Sequence, residues 1–149
     1  MKIDVPLSLQ GFAELDIGCA IASDANVIVS GGEASARRMI ARRVYERGLR
    51  RDGPFITLAV DRVEPSWVAA TGGTLFIDEL CDLDAWAQGE LMRLLDSNYS
   101  LAGSSAEAAG RPVRVIAAVG CALIEWIRAQ GLDEDLFYRL NTIHIAIDD

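Results

Sequence analysis

Lysine is nearly missing from this chain: Lys2 is the only one among 149 residues. Histidine is as scarce, with His144 alone, and the three cysteines, Cys19, Cys81 and Cys121, lie far apart without a C-x-x-C spacing. An odd, scattered set of thiols argues against a disulfide framework and against a structural zinc site. Long hydrophobic runs are also lacking. No stretch of about 18 apolar residues occurs, which argues against a membrane span. The opening MKIDVPLSLQGF has no apolar core of the kind a signal peptide carries. The expected compartment is the cytoplasm.

Positive charge is in short supply overall, with 14 Lys plus Arg against 22 Asp plus Glu and a formal net charge of −8. Phosphate contacts need clustered cations to displace counterions, so no direct DNA binding is expected. The exception is local: Arg37, Arg38, Arg42, Arg43, Arg47, Arg50 and Arg51 supply seven of the fourteen basic residues. Such a run is a solvated helix face or a patch for phosphate or an acidic partner. What the chain has in quantity is apolar material, 51% of residues against 24% charged. That is enough to bury a core, and the length fits one domain over residues 1–149.

Residues 1–25 have weak periodicity and read as an entry segment with one short helix. VIVS, residues 27–30, is a β-branched run closed by Gly31 and Gly32, hence a buried strand and a tight turn. Ala36, Ile40, Ala41, Val44 and Tyr45 then recur at helical spacing as far as Gly48. PFITLAV (54–60) reads as a second strand, and a short polar link leads into TLFID (74–78), a third strand ending in acid. A helix follows over about 84–97 from Ala87, Leu91, Leu94 and Leu95. Residues 100–112 form a Gly-rich loop, VRVIAAV (113–119) a fourth strand, Ala122 to Ala129 and Glu134 to Leu140 two helices, and TIHIAI (142–147) a fifth strand. Apolar strands alternating with helices predict a mostly parallel sheet covered on both faces, with ligands beyond the C-terminal strand ends. Trp67, Trp86 and Trp126 read as packing residues, and His144 as a sheet residue opposite Ile143 and Ile145.

A strand, a Gly-rich turn and a helix, followed by a strand ending in Asp-Glu, is the layout that cradles nucleotide phosphates. In order, VIVSGGEASARRMIARRVYERGLRRDGPF, TGGTLFIDELCDLDAWAQGELMRLLDS, RPVRVIAAVG and LDEDLFYRLNTIHIAI resemble the AAA+ domain of sigma-54-dependent transcriptional activators over about residues 12–147. The resemblance implies a three-layer P-loop NTPase core with a five-stranded sheet. It also implies ring assembly, ATP hydrolysis and remodelling of sigma-54 RNA polymerase. It places a phosphate loop at Gly31, Gly32, Glu33, Ala34, Ser35, Ala36, Arg37 and Arg38. Asp78 falls at the magnesium position, Glu79 at the water-activating position and Arg139 at the second arginine finger.

Several of those positions depart from the family. Against G-x-x-x-x-G-K-[ST], Ala36 stands for the second Gly, Arg37 for the Lys and Arg38 for the hydroxyl residue, which makes a degenerate Walker A motif. Arginine is planar and bulkier than an ammonium, and Lys2 cannot substitute for it. Ala59 replaces the Asn that contacts the catalytic Glu, Val119 and Gly120 replace a polar Thr-Asn pair, and Asp133 replaces the first finger Arg. The GAFTGA loop that grips sigma-54 is missing between VDRVEPSWVAA and TGGTLF, and the chain stops at IAIDD where the family continues into a helical lid.

These losses together imply a non-hydrolysing regulatory module with a protein partner, either a sigma-54-type activator whose oligomer it joins or blocks, or the transcription machinery. Glu79, Arg139 and Asp78 would then be vestigial, and no cofactor is expected. Two alternatives stand beside this reading: ATP and magnesium bound without turnover by Arg37, Arg38 and Asp78, and a weak ATPase.

Overall fold

The computed structural model describes residues 7–103 and 112–147, and side chains over 14–97 and 112–147. Five strands, β1 (Val27–Gly31), β2 (Phe55–Thr57), β3 (Thr74–Ile77), β4 (Arg114–Val119) and β5 (Ile143–Ile147), form one sheet of order β2-β3-β4-β1-β5. All four pairings are parallel, with Val27 opposite both Ile116 and Ile143, and Thr74 opposite both Phe55 and Arg114. Among the described residues six α-helices connect and cover the strands: α1 (Leu7–Ala22), α2 (Ala34–Arg47), α3 (Val63–Ala69), α4 (Ala85–Gly103), α5 (Leu123–Arg128) and α6 (Glu134–Leu140). The expected α/β core with a parallel five-stranded sheet is the fold observed.

Alternation along each strand divides the core in two, because successive side chains point to opposite faces. Val27, Val29, Phe76, Ile116, Ala118 and Ile145 pack on one face with Ile17 and Ala20 of α1 and Ile40, Ala41 and Val44 of α2. Ile28, Leu75, Ile77, Val115, Ala117 and Val119 pack on the other with Trp67 of α3, Leu91 and Leu95 of α4, and Leu136 and Leu140 of α6. Each fully buried Val, Leu or Ile contributes about 1.5–3 kcal/mol. The sheet is the middle layer of three.

Four segments differ from the sequence reading. α1 is a sixteen-residue helix, not a short one; the order of apolar and polar residues in its sequence carries no helical period. Its C-terminal end is fixed by Arg114, 2% exposed, which donates from Nη2 to the Ala20 carbonyl at 2.7 Å and from Nε to the Ala25 carbonyl at 2.8 Å. A cation that satisfies the last carbonyls of a helix also answers its dipole. β2 keeps three residues of the seven-residue run at 54–60.

The link from 61 to 73 contains α3, where Pro65 lies in the first turn and takes no helical hydrogen bond away. α4 runs on to Gly103, into the stretch read as loop at 100–112. Residues 104–111 of that stretch lie outside the described residues. None of the described helices is long and apolar enough to cross a membrane.

β1 and β4 are neighbours at the centre of the sheet, yet the chain leaves β1 through α2 on one face and returns from β4 through α5 and α6 towards the other. A crevice opens where connections diverge in this way. The ends of β1, β3 and β4 meet there.

Candidate functional site

Gly31 and Gly32 turn the chain out of β1 with φ of 82° and 61°, the left-handed region that only glycine enters cheaply. A Cβ on Gly31 would also collide with the Ile147 carbonyl of β5. α2 then begins at Ala34, with Glu33 as an N-cap that makes no side-chain cap bond. The Arg37 amide already donates to the Glu33 carbonyl at 3.0 Å. The phosphate-loop segment read from sequence is thus mostly helix: Ala34, Ser35, Ala36, Arg37 and Arg38 lie in the first turns of α2. Ala36 is 3% exposed and faces the core, while Glu33, Ala34 and Ser35 face solvent.

Arg37 is itself buried, at 7% exposure. Its guanidinium folds back over the turn, where Nη1 donates to the Gly31 carbonyl at 2.9 Å and to the Gly32 carbonyl at 2.6 Å. Nη2 stands 3.8 Å from Glu79 Oε1. Nε has no hydrogen-bond partner among the described residues.

Gly120, past the end of β4, completes this arrangement. A Cβ there would come 2.5 Å from Arg37 Nη2 and 2.7 Å from Glu79 Oε1. The arginine fills the space that a side chain at 120 would need, so the large residue at 37 and the glycine at 120 pack as one unit. The two positions are 83 residues apart in sequence and meet in space.

Asp78 and Glu79 follow β3, and neither is a free acid at a solvated strand end. Arg38 grips Asp78 with both arms of its fork, Nε to Oδ1 at 2.7 Å and Nη2 to Oδ2 at 2.9 Å. Two parallel charge-assisted bonds of this kind are the strongest geometry an arginine offers a carboxylate. Glu79 accepts from the Gly120 amide at 2.9 and 3.1 Å and from the Cys81 amide at 3.2 Å. Arg38 therefore holds the Asp78 carboxyl below the usual carboxylate range, chiefly through that hydrogen bond, while Asp78 raises the Arg38 guanidinium.

A depressed carboxylate pKa contributes stability that is present above the ordinary value and lost as pH falls through the depressed one. Replacing Arg38 with Ala should move the Asp78 titration back up towards the ordinary value of about 3.9, as followed by carboxyl carbon NMR. An unchanged Asp78 titration would show that the fork does not govern it.

The remaining arginines are mostly engaged within the chain. Arg43 meets Glu14, Arg50 meets Asp24, and Arg42 pairs with Glu46 while lying over the Phe55 ring at 4.8 Å. The run reads neither as a plain solvated face nor as an open phosphate patch. Beside Asp78 lies a cleft of about 250 Å³, lined by Arg38, Arg42, Phe55, Thr57 and Phe76. It is smaller than most ligand sites.

Arg139 ties α6 to α4 through Asp96. Asp133 caps α6 by accepting from the Asp135 amide at 2.9 Å and from the Leu136 amide at 3.2 Å. Capping needs a short acceptor, so arginine would fail there. Gln88, 7% exposed and unnoticed in the sequence, accepts from the Asp133 amide and donates to the carbonyls of Leu83 and Gly131. It sets the approach to α6.

The cysteines correct the sequence reading, since Cys81 and Cys121 are disulfide-bonded across a separation of 40 residues. Their wide spacing in sequence is no bar, because parallel neighbours β3 and β4 end side by side. Their sulfurs and a Glu79 oxygen lie within 4.8 Å of one another, the only such grouping of three metal-ligating residues among the described residues.

The layering, the strand order and a glycine turn opposite Asp-Glu define a three-layer α/β domain, whose fold matches the solved P-loop NTPase domain of a sigma-54 activator from E. coli at a TM-score of 0.67 and 22% identity, covering 90% of this chain. The chain belongs to the Sigma-54 interaction domain family, whose sequence profile matches residues 59–146. It is 33% identical to limonene hydroxylase of Geobacillus stearothermophilus over 83% of its own length and 28% of that protein. It is 29% identical to the sigma54-dependent transcriptional activator SfnR of Pseudomonas putida over 84% of its length and 41% of SfnR. Its fold matches NtrX of Brucella abortus, solved in complex with ATP, at a TM-score of 0.77 and 20% identity, covering 99% of this chain and 39% of NtrX. The chain spans well under half the length of limonene hydroxylase, SfnR and NtrX.

Proposed function

We propose that this domain of sigma-54-type transcriptional regulation is a non-hydrolysing regulatory module whose nucleotide position is filled by its own arginines. The observation that carries the reading is the place of Arg37, whose guanidinium bonds both glycine carbonyls of the turn and faces Glu79. A phosphate group arriving there meets a turn that passes into α2 at Ala34 and must displace a buried side chain. Magnesium does not fit as the residues stand, since both Asp78 oxygens accept from Arg38. Arg139 is engaged within the chain by Asp96, a pair that a finger role would have to break.

The module acts through protein contact. Its partner is a protein of the sigma-54 machinery, either an activator of the same family whose oligomer it joins or blocks, or the transcription apparatus itself. DNA is not its ligand, since the chain is acidic and most of its arginine run is paired internally. The link between β2 and β3 is taken up by α3 and short turns, so contact with sigma-54 through a loop there is not part of the proposal.

A second reading, nucleotide binding without turnover, is favoured by one observation. Arg37 Nε is buried without a partner near the N-terminus of α2. An anion would satisfy it there and meet the helix dipole. Calorimetric titration of the nucleotide-free chain with Mg-ATP, followed by a phosphate-release assay on the same sample, separates the readings. The proposal expects neither heat nor release. Saturable heat alone would replace it with the second reading, and phosphate release abolished by Glu79→Gln would contradict both.

A further inference from the structure

The Cys81–Cys121 bond lies where Glu79 is held, and nothing in the proposed role uses it. Cys81 is in the 3-10 turn after β3, Leu80–Asp82, and Cys121 is two residues past the end of β4. Their Cα atoms are 6.6 Å apart. That is within the span a disulfide bridges without backbone movement. Glu79 bonds the amides of Cys81 and Gly120, so the disulfide staples the same two segments that the Glu79 carboxylate links. Cys121 is exposed and Cys81 half-buried, so a small reagent reaches the pair. The third thiol, Cys19, is exposed on α1, free, and serves as an internal control.

We propose that Cys81 and Cys121 form a reversible dithiol–disulfide site whose substrate is a low-molecular-weight disulfide of the glutathione type, and whose bond state sets how firmly the Glu79 segment is held. In the oxidation, the Cys121 thiolate attacks one sulfur of glutathione disulfide. That S–S bond breaks, one glutathione thiolate leaves and takes up a proton, and a mixed disulfide remains on Cys121. The Cys81 thiolate then attacks the Cys121 sulfur and expels the second glutathione. Two protein thiols lose two electrons in all, and one glutathione disulfide becomes two glutathiones. Excess glutathione reverses both steps. With the bond closed, the Gly120 and Cys81 amides stay locked on Glu79; with it open, the two strand ends separate more readily and the contact between Arg37 and Glu79 loosens.

The test equilibrates the wild-type chain in glutathione buffers of graded ratio, quenches in acid, alkylates free thiols and maps them by mass spectrometry. Cys81 and Cys121 should become protected together at one midpoint that follows the square of the glutathione concentration over the disulfide concentration, with Cys19 alkylated throughout. Hydrogen exchange at the Gly120 and Cys81 amides should quicken by about tenfold on reduction, as for local opening without global unfolding. Cys19→Ser should leave the midpoint unchanged.

Three results would overturn the proposal: all three thiols alkylated at every ratio, Cys19 consumed in step with the pair, or two thiols shielded in the reduced chain by a stoichiometric zinc ion found by metal analysis. Because every readout is taken on wild-type protein or at Cys19, a folding defect in a variant cannot imitate success.

Discussion

Adding a single methyl group at position 120 should destabilise the domain by about 2 kcal/mol, in the range of overpacking costs, and lower its melting temperature by about 4–8 °C. Gly120→Ala places a Cβ 2.5 Å from Arg37 Nη2 and 2.7 Å from Glu79 Oε1, so the guanidinium must shift, and the shift strains the Nη1 bonds to the two carbonyls of the glycine turn. The side chain that makes those bonds is 7% exposed, so the loss is felt in the core and not at the surface. Hydrogen bonds from a charged donor cost more to break there than neutral ones. Elsewhere a Gly→Ala change at an ordinary backbone conformation tends to be mildly stabilising, through the unfolded chain. The same substitution made in an Arg37→Ala background should therefore cost less than about half as much, a coupling of about 1 kcal/mol or more in a double-mutant cycle. Additive costs would show that Arg37 and Gly120 do not share the space.

Rebuilding the loop should create a ligand response where none is expected in the wild type. The triple variant Ala36→Gly, Arg37→Lys, Arg38→Ser makes three separate changes. Glycine at 36 weakens the first turn of α2 by about 1 kcal/mol relative to alanine and lets the turn lengthen. Lysine at 37 removes the planar group bonded to Gly31 and Gly32. Serine at 38 releases both Asp78 oxygens for a cation. With Mg-ATP at about ten times the dissociation constant, linkage gives about 1.4 kcal/mol and a melting shift of about 3–6 °C. The wild type should melt at one temperature across the same millimolar series. A flat response in both proteins would show that something other than the arginines closes the site.

Much of this molecule is legible in its residues. VIVS before two glycines, RVIAAV and TLFI are apolar runs bounded by turn signals, and each is a strand of the sheet. Ile40, Ala41 and Val44 mark α2 by their spacing, and the GGTLFIDE and DLFYRLN segments mark the family. The failures have physical causes. α3 is seven residues long with a proline in its first turn, too short for a period to register. α1 has no stripe, and its end is held by Arg114, which comes 94 residues after the carbonyl it caps at Ala20. Cys81 and Cys121 are 40 residues apart in sequence and meet only because β3 and β4 are parallel neighbours.

At the site, the sequence names the positions without saying what the side chains do. Arg37 and Arg38 read as lost functions of a phosphate loop, and in the structure they are internal ligands for two carbonyls and an aspartate. A signal is present nonetheless. A bulky residue at 37, in the first turns of α2, faces the smallest residue at 120, just past β4, and such a pairing of large with small points to complementary volume. Asp133 is similar: as a missing arginine finger it is a loss, and as the N-cap of α6 it is a fitting residue.

Everything proposed for the site depends on Arg37 keeping the phosphate position closed. The decisive experiment records the backbone amide resonances of Gly31, Gly32 and the first turns of α2 by NMR while Mg-ATP is titrated into the wild-type chain. With the position closed, those resonances stay in place to millimolar nucleotide. Saturable shifts confined to them and to Glu79 and Gly120 would mean that the arginine yields to a phosphate, and the closed site would have to be abandoned.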